Sequence, residues 1–367
     1  MKALKNCSFL ILLLLFQPFY AKSQQSDRIR VGGQDLFLSG GNIAWVDFAK
    51  DIGPGETQFD LFEEMFQEVN KYGGNTTRLW LHTDGTNTPE WEDSDVIGPG
   101  EGAIEDLKTI LDLGHKYNVS LVLCLWSFDM LNINEENPHF PGRARDMLTM
   151  QSKTSLYIEN ALIPMVEALK GHPAIAAWEI FNEPEGMSEE FGWETTHHLP
   201  MANIQRFVNQ TTAAIKATDP DVLVTTGAWS FKALSDNVEE ENAKNYYSDK
   251  ELIENGGKEN GVLDFYSVHY YPNHFGENLS PFHNDAAHWG LDKPIVVAEF
   301  YTQDTHGIPH EYLYKTLFEG GYAGALVWQW KNRNHKSHHH IYWPRALVSM
   351  KNLYELHPED IHLEFQD

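Results

Sequence analysis

The stretch AAWEIFNEP, residues 176–184, climbs as an apolar run through Trp178 and Ile180 and stops at Asn182, Glu183 and Pro184. It reads as a buried strand whose tip carries an amide and a carboxylate. Leaving an acid in such a place without a partner costs several kcal/mol, so the carboxylate calls for a purpose. A second stretch, KPIVVAEF at residues 293–300, is another apolar run that ends in a glutamate, Glu299. Two glutamates at the C-terminal ends of two strands are what a paired-carboxylate hydrolase needs.

Working outward, short apolar runs alternate with amphipathic stretches, the pattern of βαβ units around a parallel sheet. Eight strands are expected: 36–45, 75–82, 119–128, 176–184, 222–229, 264–271, 294–300 and 324–330. Helical periodicity falls between them at 59–72, 103–117, 152–170, 201–218 and 311–319, and after the last strand at 345–356. The polar segment between the fifth and sixth strands gives no firm helix. Eight such units without an internal linker predict an α/β fold, a single closed (β/α)8 TIM barrel over residues 24–367. In that fold the site lies at the C-terminal strand ends. The long connections after strands two, three, four and eight would wall a cleft there and carry Trp91, Trp193, Trp343 and several histidines.

Residues 1–23 are of another kind. Lys2 and Lys5 precede an apolar run from Phe9 to Phe16, and Ala21 and Ser23 are small residues suited to cleavage. This reads as a signal peptide, too short for a membrane span, and predicts a secreted protein, extracellular or periplasmic. Its removal leaves Cys124 as the one cysteine, so no intramolecular disulfide is expected. The net charge is −26, and losing the three lysines of the leader makes it more negative still. Such a field repels phosphate backbones and disfavours nucleic acid and anionic polymers as partners. Oligomeric state is left open.

The ordered motifs carry a resemblance. WEIFNEP, with Asn182 before Glu183, resembles the acid/base signature of the large glycoside hydrolase clan built on (β/α)8 barrels. VVAEF resembles that clan's nucleophile strand. SVHYY at 267–271 is similar to the His-x-Tyr signature of glycoside hydrolase family 5, the cellulase and mannanase family, and Arg78 in TTRLW and Trp330 match its strand-two and strand-eight positions. The resemblance spans nearly all of the mature chain, in order. It implies Glu183 as general acid/base and Glu299 as nucleophile in a retaining double displacement. It further implies that Arg78 keeps Glu299 ionised, Tyr271 hydrogen-bonds Glu299, and Asn182 binds the sugar 2-hydroxyl. His269 would orient the acid or a sugar hydroxyl, and Trp330 would be the floor under the sugar. Many cellulases of the family end strand three in histidine. Here that run ends LWSFDM, which leans the expectation toward an endo-β-1,4-mannanase acting on a neutral polysaccharide, with Trp126 as a stacking ring or a core ring. An endo-glucanase, an exo-acting β-mannosidase and a non-catalytic carbohydrate binder are the other readings.

A metal-dependent barrel hydrolase would need His-x-His at the end of strand one and an acid at the end of strand eight. Strand one ends GGNIAW and strand eight WQW, so no metal and no cofactor is expected. The cluster of His335, His338, His339 and His340 is then a cleft wall.

Overall fold

In the computed structural model, residues 27–132, 139–330 and 341–366 are described. Eight parallel strands close a barrel in chain order: β1 Leu38–Asn42, β2 Thr76–Thr83, β3 Ser120–Ser127, β4 Ile175–Asn182, β5 Val224–Ala228, β6 Tyr266–His269, β7 Ile295–Glu299 and β8 Gly324–Val327. Pairing of β8 with β1 seals the ring. The expected (β/α)8 barrel is the observed one. Its strands are buried along nearly their whole length, as expected where helices cover the outer face and side chains fill the inner one. A short antiparallel hairpin, Ile29–Val31 with Gln34–Leu36, precedes the barrel and touches β4.

The helices form where the apolar spacing put them. In α1, Phe59–Lys71, the side chains of Leu61, Phe62, Met65, Phe66 and Val69 are buried on one stripe, each contributing about 1.5–3 kcal/mol by leaving water. α2, Ala103–Lys116, buries Leu107, Ile110 and Leu111 in the same way. Two helical features were not anticipated. A helix α3, Phe140–Thr149, opens with Pro141 in its first turn, where the missing N–H costs nothing. The helix expected over 152–170 is two, α4 Gln151–Tyr157 and α5 Ile163–Leu169, joined by a π-turn at Ile158–Leu162. Pro164 follows the wide turn, as the steric demand of a proline ring inside a helix requires. Further on lie α6 Met201–Thr218, α7 Asp249–Gly256, α8 Leu313–Glu319, α9 Tyr342–Leu356 and α10 Pro358–Ile361. α7 occupies the segment for which periodicity gave no firm helix. α9 starts earlier than expected and takes Trp343 with it. That ring is buried and donates to Glu68 Oε2 at 2.9 Å, so it is part of the core and not of a cleft wall.

Two features of the barrel position the site. The strand ladders slip at their C-terminal ends. Val268 of β6 pairs with Val297 but His269 pairs with Glu299. On β4, Glu179 pairs with Thr225 of β5 but Asn182 with Gly227. Each slip inserts a residue and re-aims the side chains beyond it. In addition, β1 and β2 approach so closely at Gly40 that a Cβ there would lie 1.7 Å from the Thr76 carbonyl oxygen, and only glycine fits.

Candidate active site

Arg78, central on β2, is fully buried and every donor of its fork is used. Nε and Nη2 donate to both oxygens of Glu179, the shortest contact being 2.6 Å. Nη1 donates to Glu299 Oε1 at 2.6 Å and to Asn42 Oδ1 at 2.9 Å, and Nη2 to Asn182 Oδ1 at 2.9 Å. A planar, permanently charged fork can satisfy several acceptors at once in this way. Four strands are thereby tied together at one level of the barrel.

Above that level stand the two carboxyl groups. Glu299, at the end of β7, accepts from Arg78 on one oxygen and from the Tyr271 hydroxyl at 2.5 Å on the other. Glu183, just past β4, sits in the left-handed region at φ 47° and ψ 52°. A non-glycine residue before proline is strained there, by about 1–3 kcal/mol. Its amide donates to the Gly227 carbonyl oxygen at 2.8 Å, which anchors the turn to β5. His269 bridges the pair, with Nδ1 2.8 Å from Glu183 Oε1 and 3.4 Å from Glu299 Oε2. The facing atoms of Glu183, His269 and Glu299 all lie within 4.8 Å of one another.

The two acids are not equivalent. Burial pushes Glu183 up to about 8, against the opposing field of Arg78 and with help from Asp129. Burial also raises Glu299, but Arg78 and the Tyr271 hydroxyl favour its charged form. The ion pair and the phenol belong to Glu299 alone, so the pair's shared proton rests on Glu183. Burial drops His269 to about 4, and a neutral imidazole faces Glu183. A Cβ at Gly227 would meet Glu179 Oε1 at 2.5 Å and His269 Nε2 at 3.2 Å, so β5 must present bare backbone here.

Aromatic rings flank the pair on two sides. On one, Trp45, Trp80 and Trp328 form a triad with centroids 5.0–5.6 Å apart, and Phe48, Tyr271 and Tyr301 pack against it. On the other, Phe128, Trp193, Trp229, Tyr271, His274 and Phe275 line a cavity of about 640 Å³ that reaches Glu183. Buried and without a protein partner among the described residues are Trp45 Nε1, Trp80 Nε1, Trp229 Nε1 and His269 Nε2, donors and acceptors open to a polyhydroxylated ligand.

Of the residues singled out in the sequence, the fold brings together Arg78, Asn182, Glu183, His269, Tyr271 and Glu299. It places two elsewhere. Trp330 is 3% exposed, packs into the main core and donates to Glu68 Oε2 on α1 at 2.9 Å. β8 ends at Val327, so the alternation that would have aimed Trp330 at the site does not extend to it, and Trp328 faces the pair's surroundings instead. Trp126 is 1% exposed, wedged between His82 at 4.7 Å and Tyr157 at 5.4 Å, a core ring and not a stacking surface. His335, His338, His339 and His340 lie outside the described residues. The sequence reading passed over Glu179, Asn42 and Trp80. Glu179 had a signal, a charge inside an otherwise apolar strand. So had Trp80, two residues beyond Arg78 and hence on its face.

Comparison with known proteins agrees with this geometry. The family model described as cellulase, glycosyl hydrolase family 5, matches residues 55–334. A mannan endo-1,4-beta-mannosidase of Mytilus edulis is 35% identical over 338 residues, covering 85% of this chain and 89% of its own. One from Cryptopygus antarcticus is 32% identical, covering 89% and 90%. The crystal structure of the endo-1,4-beta-mannanase from Eisenia fetida superposes with a TM-score of 0.76 at 32% identity, covering 90% of this chain and 94% of that one. This chain belongs to glycosyl hydrolase family 5 and is a glycoside hydrolase.

Proposed function

We propose that the protein is a secreted, retaining endo-β-1,4-mannanase that cleaves mannan or galactomannan by double displacement. The observation that carries the mechanism is the asymmetry of one close pair. Glu183 and Glu299 have oxygens within 4.8 Å, in keeping with the about 5–5.5 Å carboxyl separation of retaining enzymes, and only Glu299 is ion-paired. Glu299, held anionic by Arg78 and steered by Tyr271, attacks the anomeric carbon. Glu183, holding its proton, gives it to the departing oxygen. A glycosyl ester forms on Glu299, and the Glu183 carboxylate then takes a proton from water to release it. Asn182, its Oδ1 committed to Arg78, offers Nδ2 to the sugar 2-hydroxyl. Trp328, with Trp45 and Trp80, is the apolar surface for the sugar on one side of the scissile bond. The Trp193–Trp229 cavity receives the leaving portion. Sugar-binding rings on both sides of the pair suit cleavage within a chain. The relatives named above supply the preference for mannan, and no metal or cofactor is called for. Export rests on residues 1–23, which lie outside the described residues.

The test is product release on mannan, galactomannan, carboxymethyl-cellulose and mixed-linkage glucan in parallel, with Glu299→Ala as blank. Short oligosaccharides from the mannans alone support the proposal. Mannose alone refutes endo action, and activity confined to the glucans refutes the mannan preference.

A further inference from the structure

The strand-three segment LWSFDM departs from the cellulase pattern, and the structure shows what stands in place of the histidine. β3 ends at Ser127, and the chain turns through a short 3-10 helix, Phe128–Leu131. The Ser127 hydroxyl donates to Asp129 Oδ2 at 2.6 Å and accepts from Asn182 Nδ2 at 3.4 Å, while Asn132 Nδ2 donates to Asp129 Oδ1 at 3.2 Å. Arginine can only donate, so the Asn182 oxygen must face Arg78 and its nitrogen must face Ser127. Ser127 then has to accept from that amide and send its own proton to Asp129. The polarity of the whole chain, Arg78 to Asn182 to Ser127 to Asp129, is fixed by the cation at one end and the carboxylate at the other.

We propose that Asp129 is a positioning residue for the reaction: through Ser127 it holds the Asn182 amide for the sugar, and its negative charge keeps the proton on Glu183. The proposal rests on Glu183 being the acid/base. Donors on both oxygens of Asp129 favour its anion, although burial and nearby Asp84 raise it above the ordinary aspartate range. Its field opposes ionisation of Glu183. The other groups facing Glu183 are Arg78, which favours its ionisation, and neutral His269, while Glu299, Glu185, Tyr271 and Tyr301 are coupled to it. The strongest influences on Glu299 are burial, His269, Arg78, Glu183 and the Tyr271 hydroxyl, and Asp129 is not among them. The two ends of the pH profile therefore respond differently.

The experiment is the pH dependence of kcat/KM on soluble galactomannan for three variants, each with its melting temperature. Asp129→Asn keeps an acceptor for Ser127 and removes the charge. Its basic limb is expected to move to lower pH by about half a unit, the acidic limb staying in place. Ser127→Ala keeps the charge and cuts the link to Asn182. A loss of about tenfold in kcat/KM with an unmoved basic limb is expected. If Asp129→Asn does not fold, Asp129→Glu answers in its stead, since it keeps the charge and shifts the carboxylate: a retained limb with reduced kcat/KM supports the proposal, and a displaced limb overturns it. An unmoved limb in Asp129→Asn, in an enzyme that Glu183→Ala silences, overturns the inference alone. Near-normal turnover in Glu183→Ala would overturn the reading beneath it as well.

Discussion

Replacing Arg78 by methionine keeps the volume and apolar stem of the side chain and removes the charge. Two carboxylates lose their counter-ion together: Glu179, 0% exposed and bound by the fork on both oxygens, and Glu299, 3% exposed. Breaking one buried pair by removing one partner costs about 3–5 kcal/mol, a large share of the roughly 5–15 kcal/mol by which a domain is stable. The cost must depend on pH, and its sign follows from linkage. Without Arg78, Glu299, which burial already raises, binds its proton more tightly still in the folded than in the unfolded chain, so the folded state binds more protons and the variant's stability falls as pH rises. That group contributes up to about 1.4 kcal/mol per pH unit above its unfolded value. With an unfolding entropy of roughly 0.7 kcal/mol/K for a chain of this size, that is about 2 °C of melting temperature per pH unit. The assay is thermal unfolding of wild type and Arg78→Met from pH 5 to 8. A gap that widens steadily with pH is the expected result. A gap that is constant across that range would refute the assignment of Arg78 as counter-ion of buried Glu299.

Two further outcomes follow from the same site. Because Glu183 must carry its proton and burial pushes it up to about 8, kcat/KM should fall as pH rises through about 8. A basic limb below pH 6 would show that another group is the acid. For the tryptophans, Trp328→Ala should lower kcat/KM by at least tenfold, and because the ring is buried against Trp45 and Trp80 it should also cost about 3–5 kcal/mol of stability. Trp330→Phe, which loses the bond to Glu68 and part of a buried ring, should cost at least about 1 kcal/mol of stability and leave kcat/KM within about twofold. The reverse pattern would return the platform to Trp330.

The barrel was legible in the chain because its signals are local. A strand buried on both faces must be a short apolar run, a covering helix must show an apolar stripe every three to four residues, and both are visible within a dozen residues. The two glutamates were legible for the same reason, as carboxyls ending runs that are otherwise apolar. What the sequence could not decide was which side chains face each other and where each strand stops. Trp328 and Trp330 differ by two positions, and the choice between them turned on β8 ending at Val327. Trp126 became a core ring because His82, on the neighbouring strand but far away in sequence, closed over it. Glu179 showed as an anomalous charge, but its meaning lay 101 residues away in Arg78. The ladder slip that brings His269 beside Glu299 likewise has no signature in either strand alone. Periodicity is written along the chain, whereas the pairing of charges and the aim of a ring past a strand end are set by contacts between segments that only closure of the barrel brings within a few ångströms.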